Sequence, residues 1–265
     1  MAMDELARYN KERWEALAQA NVEYSRPFLD LDTESARRKV DRLGIMGDVS
    51  GKDVLCLAGG GGQQSAAFAL LGANVTVLDL SETQLQRDRE AAAHYGVQIT
   101  VAQGDMRDLS RFGEASFDVV WHAYSINFVP EARPVFRQVA RVLRPRGLYR
   151  IQFTNPFVAG IDEEDWNGQG YPLKRPYVDG SDLWEDLTWD VDGGDGVIRR
   201  IAGPKEFRHT LSTVVNGLAE LGLVILGMWE DTSEDPNAEP GTWEHFKSIA
   251  PPLLAFWAAY RPDMV

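Results

Sequence analysis

Four consecutive glycines give the clearest chemical signal in this sequence. The stretch Val54–Gln64 is VLCLAGGGGQQ, in which Gly59–Gly62 lie between an apolar segment and a helical pattern. Glycine lets the backbone turn tightly and approach a ligand closely. The start of the following helix presents free N–H groups and the positive end of its dipole. The pattern predicts a ligand-binding turn, although such a turn alone fits dinucleotide binding equally well.

Acidic residues follow the next two predicted strands at equivalent positions. Asp79 ends the strand Asn74–Leu78, and Asp105-Met106 comes shortly after the strand Val97–Ala102. A carboxylate at a strand end can accept hydrogen bonds from both ribose hydroxyls or from an adenine amino group, and a methionine can pack on the base. Either acid could instead cap a helix or form a turn. Because ligands bind at the carboxyl ends of parallel strands, both acids together predict a nucleoside site.

Alternating strand and helix patterns position these motifs. Apolar runs predict strands at Asp53–Leu57, Asn74–Leu78, Val97–Ala102, Phe117–His122, Leu148–Phe153, Leu223–Trp229 and Leu253–Ala259. Periodicity and end signals predict helices at 4–19, 33–43, Gln63–Leu71, from a capping box at Ser81–Gln84 to near Gly96, at Glu131–Leu143 and at Thr210–Leu221. The helix Glu131–Leu143 is expected to end at Arg144–Gly147. Strands separated by helices predict a parallel sheet with helices on both faces.

The strand and helix patterns divide the chain into four predicted regions. Residues 1–47 form an N-terminal helical cap, 48–155 the core that holds the motifs, 156–205 an insertion and substrate cap, and 206–265 the completion of the core sheet. The insertion is rich in aromatic residues, and a turn signal at 192–196 between Trp189–Val191 and Val197–Ile201 predicts a hairpin. Asp231–Gly241 is acidic and is expected to be an exposed loop.

Over about residues 50–155 the sequence resembles the class I S-adenosylmethionine (SAM)-dependent methyltransferases. VLCLAGGGGQQ is similar to their first motif, VLDLSETQL to the second, QGDMRDL to the third, FDVVWHAYSINFV to the fourth, and VARVLRPRGLYRIQF to their helix and fifth strand. The resemblance implies an α/β fold with a doubly wound, seven-stranded, mostly parallel sheet and an antiparallel last strand. It also implies that Asp79 holds the ribose, Asp105 and Met106 the adenine, and the glycine turn the methionine part of S-adenosyl-L-methionine.

Two residues depart from the pattern of that family. Cys56 stands where an acid is often found, and Ala58 stands where glycine is common. Since the acid commonly contacts the methionine amino group, Gln63, Gln64 and the His122 backbone are candidates for holding the methionine part; the glutamines could also be simply a polar first turn. The predicted cofactor-binding residues are Ala58, Gly59, Gly60, Gly62, Gln63, Gln64, Asp79, Leu80, Gln84, Asp105, Met106 and His122.

Methyl transfer from a sulfonium is an in-line displacement, to which an enzyme mainly contributes proximity and a dry pocket. A base is needed only if the acceptor must lose a proton early. His209 and His122 are the candidate catalytic residues; His122 could instead be a wall of the cofactor pocket and His209 a structural residue. Candidate substrate residues are Tyr9, Trp14, Tyr124, Asn127, Asn155, Trp166, Tyr171 and His209, although the cap aromatics among them could be the cap's own core.

Composition limits the class of acceptor. A net charge of −13 argues against binding nucleic acid through phosphate contacts or docking on an anionic membrane. One cysteine excludes an internal disulfide, and no histidines have metal-ligand spacing, so no metal is expected. The sequence predicts a cytoplasmic monomer or homodimer that methylates a small organic molecule on O, N or C. The alternatives are an RNA or protein methyltransferase, an NAD-dependent oxidoreductase, and a non-catalytic SAM-binding protein.

Overall fold

The computed structural model of the chain describes residues 3–192 and 197–264. Its strands are β1 Asp53–Leu57, β2 Asn74–Asp79, β3 Ile99–Gln103, β4 Phe117–Tyr124, β5 Leu143–Thr154, β6 Thr188–Asp192, β7 Ile198–Ala202, β8 Leu223–Glu230 and β9 Leu253–Tyr260. Its α-helices are α1 Glu5–Gln19, α2 Thr33–Asp41, α3 Gln64–Leu70, α4 Glu82–Tyr95, α5 Ala132–Val142, α6 Leu211–Ala219 and α7 Trp243–Ile249.

Seven of the described strands form one sheet in the order β3-β2-β1-β4-β5-β9-β8. Strands β3, β2, β1, β4 and β5 pair in parallel, whereas β9 is antiparallel to both β5 and β8. The predicted fold class, a mostly parallel doubly wound sheet whose last strand is antiparallel, is therefore confirmed. The order reverses between β1 and β4, and in such sheets ligands bind beyond the carboxyl ends of the strands at this point.

Helices cover the sheet on both faces because each presents an apolar stripe to it. On one face α5 and α6 bury Phe136, Val139 and Leu218 in the larger core. On the other face α2 and α3 bury Val40 and Phe68 in a second core. Of the two N-terminal helices, α2 thus packs within the body of the fold. No α-helix in the described part of the chain combines the length and apolarity that a membrane crossing requires.

The predicted hairpin in the insertion is confirmed as an antiparallel pair of β6 and β7. The turn residues 193–196 lie outside the described residues. Trp189 and Val191 of this hairpin pack with Leu17 of α1 and with Val22 in a small third core. The hairpin and α1 therefore support each other at the carboxyl-end side of the sheet, where the glycine turn also lies.

Most boundaries agree with the sequence prediction to within two residues, but the start of β5 and helix α7 do not. Strand β5 begins directly after α5, and the expected terminator Arg144–Gly147 is a bulge between the pairs Phe117–Leu143 and Val119–Leu148. Arg146 has a φ of 69°, and a side chain on Gly147 would meet the Arg144 carbonyl at 2.8 Å, so the bulge needs these local conformations. The seven-residue helix α7 was not predicted; the equally short α3 was, because the glycines before it and Gly72 after it mark its ends.

Candidate functional site

The glycine turn starts at the carboxyl end of β1, in the middle of the sheet. Ala58 leaves the strand with its N–H donating to the Leu78 carbonyl at 2.7 Å. Its φ of 44° is in the left-handed region, where glycine is favoured. The next four residues then cross in front of β2 and reach α3. The sequence departure at Ala58 therefore falls on a backbone position that an alanine strains.

Asp79 lies at the end of β2 and faces the glycine turn. Its carboxylate accepts from the N–H of Gly60 at 3.0 Å and from the N–H of Ser81 at 2.8 Å. Burial raises the pKa of Asp79 to about 6, although these backbone hydrogen bonds act in the opposite direction. The side chain sits where the predicted nucleoside site requires an acceptor.

The predicted capping box at Ser81 is only half formed. The Ser81 hydroxyl accepts from the Gln84 N–H at 3.1 Å, as expected for an N-cap. The Ser81 N–H, however, donates to Asp79, so the reciprocal bond from the Gln84 side chain is not made. This correction matters for the site, because it leaves the Gln84 amide available to another partner.

Gln84 presents an unsatisfied acceptor to the glycine turn. Its side chain is 5% exposed, and its Oε1 has no hydrogen-bond partner among the described residues. A Cβ added to Gly61 would lie 3.3 Å from this oxygen, and one added to Gly60 would lie 2.8 Å from the Gln84 Cβ and 3.1 Å from the Asp79 carboxylate. Two acceptors therefore converge on a turn that only glycine allows, and they call for a ligand rich in hydroxyl or ammonium donors.

Asp88 of α4 is a site residue that the sequence analysis missed. Its two carboxylate oxygens accept from the N–H groups of Gly61 at 3.2 Å and Gly62 at 3.0 Å, and the Ser65 hydroxyl donates to it as well. Burial raises the pKa of Asp88 to about 7. These N–H groups of the turn, which were expected to face a ligand, thus donate to Asp88 of α4 instead. The available signal was an acid on the buried side of α4, four residues after Gln84.

The two glutamines after the glycines have different surroundings. Gln63 donates its amide N–H groups to the carbonyls of Tyr24 at 3.2 Å and Arg26 at 3.0 Å, which ties the turn to the N-terminal segment. The Gln64 side chain makes no hydrogen bond within the described residues, and its Oε1 lies 3.8 Å from a Cβ added to Gly59. Gln64 rather than Gln63 therefore retains its donors for a carboxylate at the turn.

The third motif is tied to the N-terminal helix. Arg107 makes an ion pair with Asp105 at 2.6 Å and a second with Asp4, the N-cap of α1, at 2.7 Å. Met106 is buried in the larger core. The Leu80 carbonyl accepts from the Gln103 amide at 3.0 Å. An adenine contact at Asp105 would use the acceptor capacity left beside Arg107.

Both predicted catalytic histidines are fully buried. His122 Nδ1 lies 2.8 Å from the Tyr149 hydroxyl, and burial lowers the pKa of His122 to about 3. His209 Nε2 lies 3.0 Å from the Ile126 carbonyl, and burial lowers the pKa of His209 as well. Neutral rings enclosed in the core are poor general bases, so the geometry favours structural roles over the catalytic role expected from the sequence.

A carboxylate that the sequence analysis did not name lies at the ends of β4 and β5. The Tyr124 hydroxyl donates to Glu206 Oε2 at 2.7 Å and lies 2.6 Å from Thr154 Oγ1. Asn127 supports this arrangement, because its amide accepts from the Thr154 N–H at 3.0 Å and donates to the Phe207 carbonyl at 2.8 Å. The sequence gives no signal for Glu206, because this residue belongs to no strand or motif. Only the tertiary fold brings it beside Tyr124.

The predicted substrate aromatics divide into two groups. Trp14 of α1 contacts Phe128 and Trp189, with ring centroids 5.3 and 5.9 Å apart, and the Tyr9 hydroxyl lies 3.4 Å from the Gly203 carbonyl. These residues lie near Tyr124, whose ring is 5.9 Å from that of Phe128. This group faces the same edge as the glycine turn.

The second group is packed against α7. Trp166 lies 4.6 Å from His245 between ring centroids, and the Tyr171 hydroxyl is 2.8 Å from His245 Nδ1. Tyr171 also contacts Phe246. The Asn155 amide donates to the Pro251 carbonyl at 2.9 Å and accepts from the Phe157 N–H, which makes it a turn residue. For these three residues the geometry favours structural roles.

Helix α1 is fastened across this edge of the sheet. Asn10 donates to the Phe128 carbonyl at 3.0 Å and accepts from the Lys205 N–H at 2.8 Å. Glu15 accepts from the Glu82 and Thr83 N–H groups, at 2.7 and 3.1 Å, at the start of α4.

In the described residues no group of three or more His, Cys, Asp or Glu could hold a metal ion.

Comparisons with known proteins identify the family of this chain. Residues 55–151 match the family described as methyltransferase domain. Uncharacterized methyltransferase YbaJ from Bacillus subtilis (strain 168) is 37% identical over 185 residues, which cover 69% of this chain and 70% of that protein. The glycine/sarcosine/dimethylglycine N-methyltransferase from Actinopolyspora halophila is 34% identical over 59% of this chain, but only 27% of its own length is aligned.

A solved structure shows the same fold. The S-adenosylmethionine-dependent methyltransferase from Mesorhizobium loti superposes with a TM-score of 0.61, at 23% identity, over 87% of this chain and 99% of that one. At 23% identity, this similarity shows the fold alone. From the family match and the 37% identical relative we conclude that this chain belongs to the class I SAM-dependent methyltransferases.

Proposed function

We propose that this enzyme transfers the methyl group of SAM to a small organic acceptor. The observation that carries the proposal is the pair of acceptors, Asp79 and Gln84 Oε1, that converge on Gly60 and Gly61. Ribose hydroxyls and a methionine ammonium group are the donors that this pair lacks. A buried acceptor without a donor costs about 1–3 kcal/mol. Cofactor binding would remove that cost at Gln84.

Each end of the cofactor has residues with fitting chemistry. Asp79 would accept from the ribose hydroxyls, Asp105 from the adenine amino group, and Gln64 would donate to the methionine carboxylate. SAM supplies a methyl group on a positively charged sulfur, which is reactive without further activation. The protein has to hold that methyl close to the acceptor atom, in line with the bond that breaks, and to exclude water.

Several features favour a small acceptor over a macromolecule. The net charge of −13 disfavours nucleic acid. Helix α1 and the β6–β7 hairpin cover the carboxyl-end edge with bonded contacts, which leaves little open surface for a folded partner. The relative from Actinopolyspora halophila is named for glycine, sarcosine and dimethylglycine. We further propose a cytoplasmic monomer or homodimer in which α1 and residues 156–205 cap the core, whereas α2 belongs to the core itself.

Calorimetric titration with SAM tests the cofactor part of this proposal. We expect saturable binding to the wild-type protein and a 10- to 100-fold weaker affinity in Asp79→Asn, because a hydrogen bond to a charged group contributes about 1.5–3 kcal/mol. The matched control is Asp48→Asn, at an exposed turn where the Ser50 N–H donates at 2.9 Å. This variant should bind SAM as the wild type does.

Transfer of radiolabel from SAM tests the acceptor part. Label should appear in a small-molecule extract, and not in total RNA or protein. No binding at millimolar SAM, with Asp79→Asn indistinguishable from the wild type, would refute the function. Labelled RNA or protein would refute the small-molecule assignment alone.

A further inference from the structure

Glu206 is a buried carboxylate beside the carboxyl ends of β4 and β5. It is 8% exposed and is held by Tyr124, which lies at the carboxyl end of β4 next to the end of β1. The pair Leu57–His122 aligns these two strands, so Tyr124 lies two residues, or roughly 7 Å, beyond the last residue of β1. Glu206 therefore lies on the β4–β5 side of the glycine turn, opposite Asp79 on the β2 side.

A chain of aromatic rings connects the glycine turn with Glu206. Consecutive rings meet edge to face, with centroids 5.3–5.9 Å apart. At one end the Tyr24 carbonyl accepts from Gln63 beside the glycines, and at the other end Tyr124 donates to Glu206. The rings, in order, are those of Tyr24, Trp189, Trp14, Phe128 and Tyr124.

The Glu206 carboxylate has acceptor capacity to spare. A carboxylate offers about four lone-pair sites, and in the described structure its side-chain donors are Tyr124 and Trp184. Burial raises the pKa of Glu206 to about 7, although these two hydrogen bonds act in the opposite direction. Glu206 thus changes charge near neutral pH and can bind a further donor.

The charged neighbours of Glu206 in the chain have other partners. Lys205 lies 4.0 Å from Asp182, and the Arg208 guanidinium donates to the carbonyls of Pro156 and Ala159 at 2.7 and 2.9 Å. From β4 the titratable group that faces the carboxylate is the Tyr124 phenol, and from β5 its neighbour is the uncharged Thr154 hydroxyl. Among the described residues of these segments no cation pairs with Glu206, so a cationic ligand could neutralise it.

We propose that Glu206 binds the acceptor and serves as its base, and that the acceptor is a small amine which enters as an ammonium ion along the aromatic wall. The inference rests on the proposed methyltransferase function and names its acceptor class. Aromatic faces beside a carboxylate attract organic cations. The net charge of −13 also raises the concentration of cations near the protein.

The proton and the electron pairs balance in this scheme. The ammonium group first gives a proton to the Glu206 carboxylate, which leaves a neutral amine with a lone pair. That lone pair forms the new N–C bond as the S–C bond breaks, and the sulfur keeps the bonding electrons and becomes a neutral thioether. The methylated product leaves as an ammonium ion, and Glu206 returns its proton to solvent.

Binding of matched ligand pairs to the protein saturated with S-adenosylhomocysteine tests the inference without turnover. The probes are benzylamine, 2-phenylethylamine and tryptamine, each compared with its alcohol: benzyl alcohol, 2-phenylethanol and indole-3-ethanol. At least one amine should bind 10-fold or more tightly than its alcohol at pH 8. Its affinity should fall about tenfold between pH 8 and pH 6, because a group with a pKa of about 7 loses most of its charge over this range.

Glu206→Gln should abolish both the amine preference and its pH dependence. The control is Glu185→Gln, an exposed residue of the neighbouring insertion whose carboxylate lies 3.8 Å from Arg175. This control variant also removes one carboxylate charge, and it should change neither the amine preference nor its pH dependence. If Glu206→Gln does not fold, carboxyl-¹³C glutamate NMR of the wild type replaces it, and the Glu206 signal should shift on amine binding.

The outcomes separate the inference from the function on which it rests. Binding of S-adenosylhomocysteine with amines no tighter than alcohols overturns the amine proposal and leaves methyl transfer intact. An amine preference that survives in Glu206→Gln overturns the role of Glu206. Failure to bind S-adenosylhomocysteine at all overturns both the function and the inference.

Discussion

Ala58 occupies a backbone conformation that its side chain disfavours. Its φ of 44° falls where an L-residue costs about 1–2 kcal/mol. Glycine would relieve this strain but would also gain about 0.4–1 kcal/mol of conformational entropy in the unfolded chain. We therefore expect Ala58→Gly to raise the free energy of unfolding by about 0.5–1 kcal/mol, as measured by urea denaturation.

An alanine in ordinary helical conformation provides the control. Ala93 is exposed in α4, and glycine in a helix interior costs about 1 kcal/mol relative to alanine. Ala93→Gly should therefore destabilise the protein. If Ala58→Gly destabilises it by a similar amount, the strain at the start of the glycine turn is not real.

Residues differ in how far the sequence predicts their roles. Asp79 was predictable because it follows an apolar strand, and strand ends fix where a side chain emerges. Asp88 and Glu206 were not, because a helix position and an irregular segment reach the site only through packing. The burial of His122 and His209 was not predictable either, since sequence position does not reveal that a ring is enclosed.

At the scale of elements, α1 is held mainly by polar contacts. Glu15 supplies an acceptor to the first N–H groups of α4, a position where the loss of a cap costs about 0.5–2 kcal/mol. Burial raises the pKa of Glu15, but hydrogen bonds from Thr83 and Glu82 outweigh it and leave the pKa below its usual value. This contribution to stability is therefore present above pH 4.5, the ordinary pKa of a glutamate, and is lost as the pH falls below it.

We predict that Glu15→Ala will loosen both helices that meet at this contact. Hydrogen exchange should speed up in α1 and in the first turn of α4, with a loss of about 1 kcal/mol in stability. Glu12→Ala on the same helix serves as the control, because Glu12 is exposed and pairs only with Arg13, at 3.7 Å, among the described residues. Equal exchange in the two variants would mean that Glu15 does not fasten α1.

The elements of the core were largely predictable; around it the hairpin and α1 were predicted, but α7 and the position of α1 were not. Strand β1 matches its predicted bounds, because the four residues after Asp53 are buried and apolar, as expected in a central strand. The start of β5 was misplaced, since Arg144–Gly147 has the composition of a turn but forms a bulge. The position of α1 across the sheet edge depends on Asn10 and Glu15 finding partners far along the chain, which no local pattern encodes.

At the scale of the whole molecule, two buried acids make folding depend on pH. Burial raises the pKa of Asp79 to about 6 and that of Asp88 to about 7, whereas both are near 3.8 in the unfolded chain. The folded protein thus holds more protons between pH 4 and 7, so the contribution of these groups to stability falls as pH rises over this range. The expected fall is on the order of a few kcal/mol between pH 5 and pH 8.

Urea denaturation at the two pH values measures this fall, and Asp88→Asn should remove much of it. The asparagine carbonyl can take the place of Oδ1, which accepts from the Gly62 N–H and the Ser65 hydroxyl, and the Gly61 N–H keeps its second acceptor, the Gln84 carbonyl, at 3.1 Å. Stability of Asp88→Asn that falls with pH as steeply as in the wild type would contradict the assignment.

SAM binding should oppose this pH effect, because it brings donors to Asp79. Ribose hydroxyls that bind the carboxylate favour its charged form, so the pKa of Asp79 falls from about 6 in the complex and a proton is released. Affinity for SAM should therefore rise with pH between 5 and 7. Calorimetry in two buffers with different ionisation enthalpies counts the protons released. A proton count of zero at pH 6, unchanged in Asp79→Asn, would show that the ribose is held elsewhere.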